Sequence, residues 1–134
     1  MRRAVVCGFV AVVAALAGCG DSGGGGVSPN VPGVLTVNFQ SPNGNDGAVM
    51  IQVDGGPIDS VVVSPAYRGY VSRITGTTFR AIVTGPVVTA GPIARVYVPD
   101  ISQASRYGAS VEQAAAKGTY AAQDVSEYRL LLSR

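Results

Sequence analysis

The chain has no histidine and no tryptophan, only one lysine (Lys117), and two cysteines, Cys7 and Cys19. Each absence removes a chemistry. Without histidine there is no Ser-His-Asp or Cys-His relay to activate a nucleophile. A zinc site built from histidine and cysteine is excluded on the same grounds. Both cysteines fall within the first 19 residues, so everything after them lacks a thiol. Small domains can rely on disulfides, but the residues after Cys19 must hold by packing alone. Lys117 sits in an alanine-rich stretch where its expected role is solvation, which leaves a Ser-Lys dyad poorly supported.

Charge of one sign is also missing. The net charge of +2 comes from ten basic and eight acidic residues. Removing Arg2 and Arg3, which precede residue 19, leaves eight of each and a net of zero. Nucleic-acid binding needs a basic surface to displace counterions, and none remains. A neutral module also gains no long-range steering toward a charged partner.

What is present begins with Arg2-Arg3 and a mostly apolar run from Ala4 to Ala15. That run suits a signal-peptide core and falls short of the ~20 residues a membrane span needs. It ends in Leu16-Ala17-Gly18-Cys19, which resembles the lipobox of bacterial lipoproteins at all four positions. The resemblance implies that residues 1–18 are a removed signal peptide and that Cys19 becomes a lipidated N-terminus. Two or three acyl chains, palmitate among them, would anchor the protein stably, whereas one chain binds only marginally. The expected location is the extracytoplasmic side of the cell envelope. Gly20 lacks the aspartate that retains many Gram-negative lipoproteins at the inner membrane, so the outer membrane or cell surface is expected there.

Residues 19–32 read as the lipidated cysteine and a tether. Gly23 to Gly26 carry too much backbone entropy to order, and Pro29 and Pro32 block regular pairing. A glycine-rich phosphate loop would need a strand before it and a helix after it, and neither is readable. The thirteen residues from Gly20 to Pro32 give a typical reach of ~20 Å.

From Gly33 to Arg134 alternation dominates. Leu35, Val37 and Phe39 point one way and Thr36, Asn38 and Gln40 the other. Val49, Ile51 and Val53 repeat the pattern after a turn cluster, Ser41 to Gly47. Further strands are expected over Ile58–Val63, Tyr67–Ile74, Thr78–Thr84, Ile93–Val98 and Ser126–Ser133, with a short Val87–Thr89 segment between two Gly-Pro breaks. Short strands punctuated by glycine and proline predict an all-β antiparallel sandwich of about seven to eight strands. One stretch reads two ways. Ser110-Val111-Glu112-Gln113 is a capping box for a short helix near 110–117 closed by Gly118. Tyr107, Ala109, Val111 and Gln113 also alternate as a strand, which the surrounding β context favours for 106–113.

Carboxyl groups are the remaining catalytic candidates. Two of Asp46, Asp54, Asp59, Asp100, Glu112, Asp124 and Glu127 converging would suit glycoside hydrolysis. Most sit beside glycine or proline or at strand ends, where aspartate makes turns, and no tryptophan is available to stack a sugar. Asn43-Gly44-Asn45-Asp46-Gly47 has calcium-loop character. It lacks a side chain at its fifth position and a downstream glutamate, so a hairpin turn accounts for it better. No metal and no cofactor is expected.

The binding candidates are Tyr67, Arg68, Tyr70 and Arg73. Tyrosine and arginine supply interface hot spots and also suit glycan stacking. The alternative is structural: tyrosine spans a core edge with its hydroxyl in water, and arginine covers apolar surface with its stem. Strand order and Gly/Pro spacing from Gly33 onward resemble the cohesin-type β-sandwich. That resemblance implies a non-catalytic module binding partner proteins at cell surfaces, and it transfers no site residue. The expectation is a membrane-anchored interaction or adhesion module with an envelope protein partner; the alternative is a lipoprotein binding a glycan or other small ligand.

Overall fold

The computed structural model describes residues 28–134. The expected signal peptide, the lipobox with Cys19, and the tether as far as Val27 lie outside the described residues. Nine strands follow: β1 Gly33–Gln40, β2 Asp46–Asp54, β3 Ser60–Val63, β4 Arg68–Arg73, β5 Thr78–Thr84, β6 Ala90–Val98, β7 Gly108–Ala116, β8 Ala122–Gln123 and β9 Arg129–Ser133. A single 3-10 segment, Ile101–Arg106, joins β6 to β7. No helix among the described residues is long and apolar enough to cross a membrane.

The strands form two antiparallel sheets, ordered β3-β6-β1-β9 and β4-β5-β2-β7-β8. The protein is therefore an all-β sandwich, and its inner faces are the alternating residues of the sequence. Leu35, Val37 and Phe39 of β1 and Val96 and Val98 of β6 are buried from one side. Val49, Ile51 and Val53 of β2 and Phe79, Ala81 and Val83 of β5 are buried from the other. Burying each of these valine, leucine, isoleucine and phenylalanine side chains contributes roughly 1.5–3 kcal/mol, and with no cysteine among the described residues this packing is their main stabilising term. Register follows from it, because a one-residue slip would turn every inner side chain to water.

In the stretch from 110 to 117, residues 110–116 are strand and not helix, and Lys117 begins the turn that follows. The strand's backbone pairs with β2 from Asp46↔Ala116 to Asp54↔Gly108, with a bulge opposite Met50/Ile51. The run Ala114-Ala115-Ala116 has high helix propensity, but Ala114 and Ala116 are buried under the sheet. Tertiary pairing outweighs the tenths of a kcal/mol by which propensity favours a helix. Val87–Thr89 is likewise not a strand; Val87 is simply buried in the core as the chain passes between sheets.

Only two connections, β4–β5 and β7–β8, are hairpins within one sheet; every other connection crosses between sheets. The crossings collect at the two ends of β2. At one end Gly55 has φ +125, and a Cβ there would overlap the Arg106 carbonyl oxygen. The neighbouring Tyr107 hydroxyl donates to Pro57 O at 2.7 Å. At the other end lies a polar cluster around Asp46.

Candidate functional site

Asp46 is the one buried charged or polar residue of the described core, 1% exposed. Its carboxyl oxygens are both taken. Tyr128 donates its hydroxyl to Oδ1 at 2.6 Å, and Ser41 donates to Oδ2. Asn43 Nδ2 donates to the Tyr128 oxygen at 2.9 Å, and Gln123 closes the cluster with Nε2 on Asn45 Oδ1 at 3.1 Å. Burial, and then the bond to Asp46, push the Tyr128 hydroxyl above its ordinary value. The turn cluster is therefore anchored inward. Asp46 opens a strand and satisfies two hydroxyls, so it ties connections together and is not presented to a substrate.

Outside this cluster is a shallow polar depression lined by Asn43, Asn45, Gln123, Asp124 and Glu127. Asp124 Oδ1 accepts the Ser126 amide at 2.9 Å, which holds its carboxyl below the ordinary range. Asp100 does the same at the opposite end, where the hydroxyl and amide of Ser102 hold its carboxyl low. Both aspartates cap their own turns. Among the described residues no three histidine, cysteine or acidic side chains gather where a metal could bind.

The four residues singled out from the sequence separate. β4 pairs with β5 through Arg68↔Thr84, Tyr70↔Ile82 and Arg73↔Phe79. Since Phe79 is buried, Arg73 lies on the inner face of the sheet. Its guanidinium sits over the Phe79 ring at 5.0 Å and donates to Asp59 O at 2.8 Å and Ile58 O at 3.3 Å. Tyr67 is half-buried against the core. Arg68 and Tyr70 are exposed on the outer face, Tyr70 at 74%.

That outer face is organised in cross-strand rows. Tyr70 is opposite Ile82, Ile82 opposite Met50, and Met50 opposite Gln113, so four strands contribute one continuous row. The row beside it runs Arg68, Thr84, Ala48, Ala115, Ala122. On the other side Ser72, Arg80, Gln52 and Ser110 are polar. There Arg80 is paired with Glu112, its Nε on Oε2 at 2.8 Å and a terminal nitrogen on Oε1 at 3.0 Å. Met50, Ile82, Ala48, Ala115, Ala122 and Tyr120 line a shallow open trough of about 460 Å³.

Tyr120 forms the rim of this trough. It is 73% exposed and holds φ +54, a left-handed conformation that costs a non-glycine residue ~1 kcal/mol. Its amide donates to Ala116 O at 3.0 Å, which fixes the turn. The tyrosine motif drew attention to one edge of this surface but missed Met50, Ile82 and Tyr120. The available signal was apolar Met50 and Ile82 at the alternate positions of their strands, where a solvated face calls for polar residues. No protein-family model, curated protein or solved structure matches this chain.

Proposed function

We propose that the protein is a membrane-anchored, non-catalytic interaction module of the cell envelope, held by acyl chains on Cys19 and binding a protein partner through the outer face of the five-stranded sheet. The observation that carries this reading is the cross-strand row Tyr70-Ile82-Met50 bordered by Tyr120. Tyrosine and methionine are enriched at interface centres, and an arginine-glutamate pair at the border suits a polar rim. The face is broad and open. A wide, shallow surface of this kind suits a protein partner better than a small ligand, which is usually held in a deeper pocket that buries most of it. Glu112, Gln113 and Gln123 beside Tyr120 would be the contacts of the alternative, a glycan laid along the trough.

Capture from the native envelope with the acylated full chain tests the surface. Tyr70→Ala combined with Ile82→Ala should reduce the principal captured protein at least tenfold. An unchanged set of captured proteins would remove this face from consideration, and loss of glycan retention in the same variant would favour the alternative. The anchor is tested separately. Cys19→Ala should abolish lipid labelling and release the protein from membranes, and membrane association persisting without lipid would overturn the anchor.

A further inference from the structure

Each sheet of a sandwich ends in two edge strands, and an edge carries unpaired amides and carbonyls that invite another strand. Three of the four edges here are blunted. β3 is four residues long and closely crossed by β4, where Gly69 leaves no room for a Cβ beside Val63. β4 carries an inward-pointing charge, Arg73, and β8 has two residues. β9 has none of these protections. Its sequence is Arg129-Leu130-Leu131-Leu132-Ser133, and among the described residues it pairs with β1 alone.

Its side chains sort by the β1 register. Leu130 and Leu132 stand opposite buried Phe39 and Val37, so they face inward, yet they remain only half-buried. The reason is an open seam between the β9 edge and the 109–111 part of β7, which β8 does not cover. Ala109, Val111, Leu130 and Leu131 line a groove of about 320 Å³ there. Leu131 faces outward and is 53% exposed.

We infer that β9 pairs antiparallel with β9 of a second copy of this chain, joining two four-stranded sheets edge to edge. The strand is complementary to itself. A two-fold axis through Leu131 sets Leu131 against its own copy, Leu130 against Leu132, and Arg129 against Ser133. Apolar side chains meet apolar ones, and no two arginines stand directly opposed. Such an interface is isologous and closes at two copies. The inward leucines of each copy extend the apolar layer across the seam, while backbone bonds supply the pairing.

Self-pairing differs from the protein-partner surface above, which lies on the other sheet, so either can fail alone. The test uses the full chain in its native membrane. Directly opposite residues of an antiparallel pair have Cβ atoms ~4.5–5.5 Å apart. Leu131→Cys should therefore give a reductant-sensitive dimer on mild oxidation, at least fivefold above the unsubstituted chain, which differs from it only at residue 131. Val62→Cys, equally exposed at the opposite edge of this sheet, should stay at the background level. Leu131→Lys, which leaves the exposed position soluble but opposes two ammonium groups on the axis, should lower the dimer fraction of the detergent-solubilised chain at least tenfold in sedimentation velocity. Crosslinking of Leu131→Cys at the background level, crosslinking only to a different protein, or a dimer that survives Leu131→Lys would each overturn the inference.

Discussion

The two ends of β2 face the same problem and solve it with different parts. Two connections cross between sheets at the Asp54 end and four at the Asp46 end, and at each end a tyrosine from a later crossing reaches back to an earlier segment. Tyr107 spans 50 residues to the Pro57 carbonyl, and Tyr128 spans 82 residues to the Asp46 carboxyl. At the Asp54 end the receiving group is backbone, and glycines let the chains approach. At the Asp46 end it is a side chain inside a cluster with Ser41, Asn43 and Gln123. A backbone closure is vulnerable to bulk. A side-chain closure is vulnerable to loss of one polar atom, since its buried partners then lose a charged acceptor.

The contrast can be broken first with glycine. Gly55→Ala should destabilise the fold by more than ~3 kcal/mol in chemical denaturation, because φ +125 and the Arg106 carbonyl both oppose a Cβ. Gly44→Ala, in the turn at the other end with nothing within 4 Å, should shift stability by less than ~0.5 kcal/mol. Equal effects would mean that the two ends do not differ in kind.

Asp46→Ala comes next, with an expected loss of ~3 kcal/mol, since the Tyr128 and Ser41 hydroxyls each lose a carboxylate acceptor and keep only the neutral Gln123 Oε1 and Asn43 carbonyl oxygens. A loss below ~1 kcal/mol would show that the cluster is not structural and reopen its use in binding.

The smallest effects come from the tyrosines themselves. Tyr128→Phe should cost ~1.5 kcal/mol and Tyr107→Phe ~1 kcal/mol near neutral pH. Burial raises both hydroxyls above the ordinary value of 10.0, and at Tyr128 the bond to Asp46 adds to it. A proton held more tightly in the folded state gives stability that is whole below pH ~10 and lost as pH rises further. Denaturation followed from pH 8 to 11 should therefore fall more steeply for the unsubstituted protein than for either phenylalanine variant.

Much of this architecture was legible in the sequence. The alternation at Leu35-Val37-Phe39, Val49-Ile51-Val53 and Phe79-Ala81-Val83 identifies the inner faces, because burial on one side of a pleated strand imposes a period of two. It was ambiguous at 110–117, where alanine serves a helix or a buried strand equally well and only pairing with β2 decides. Asp46 read as a turn residue, since its neighbours are turn formers; nothing local shows that a tyrosine 82 positions away will bury it. Of the binding candidates, Tyr70 and Arg68 stand on the exposed face. Arg73 is turned inward by the parity of β4, which depends on its register with β5. The outer-face row crosses four strands and so could not be seen before their order was known.

β1 lies between β6 and β9, and its second neighbour is made from residues 129–133. Among the described strands, β1 thus waits for β9. Until those residues are available, one edge of β1 has no partner, and both Phe39 and Asp46 lack the Tyr128 ring and hydroxyl that complete their surroundings. Closing so long a loop must precede any reward from the contacts it brings, which makes folding slow and late. The sandwich thus stays open along β1 until residues 129–133 pair with it and Tyr128 closes over Phe39 and Asp46.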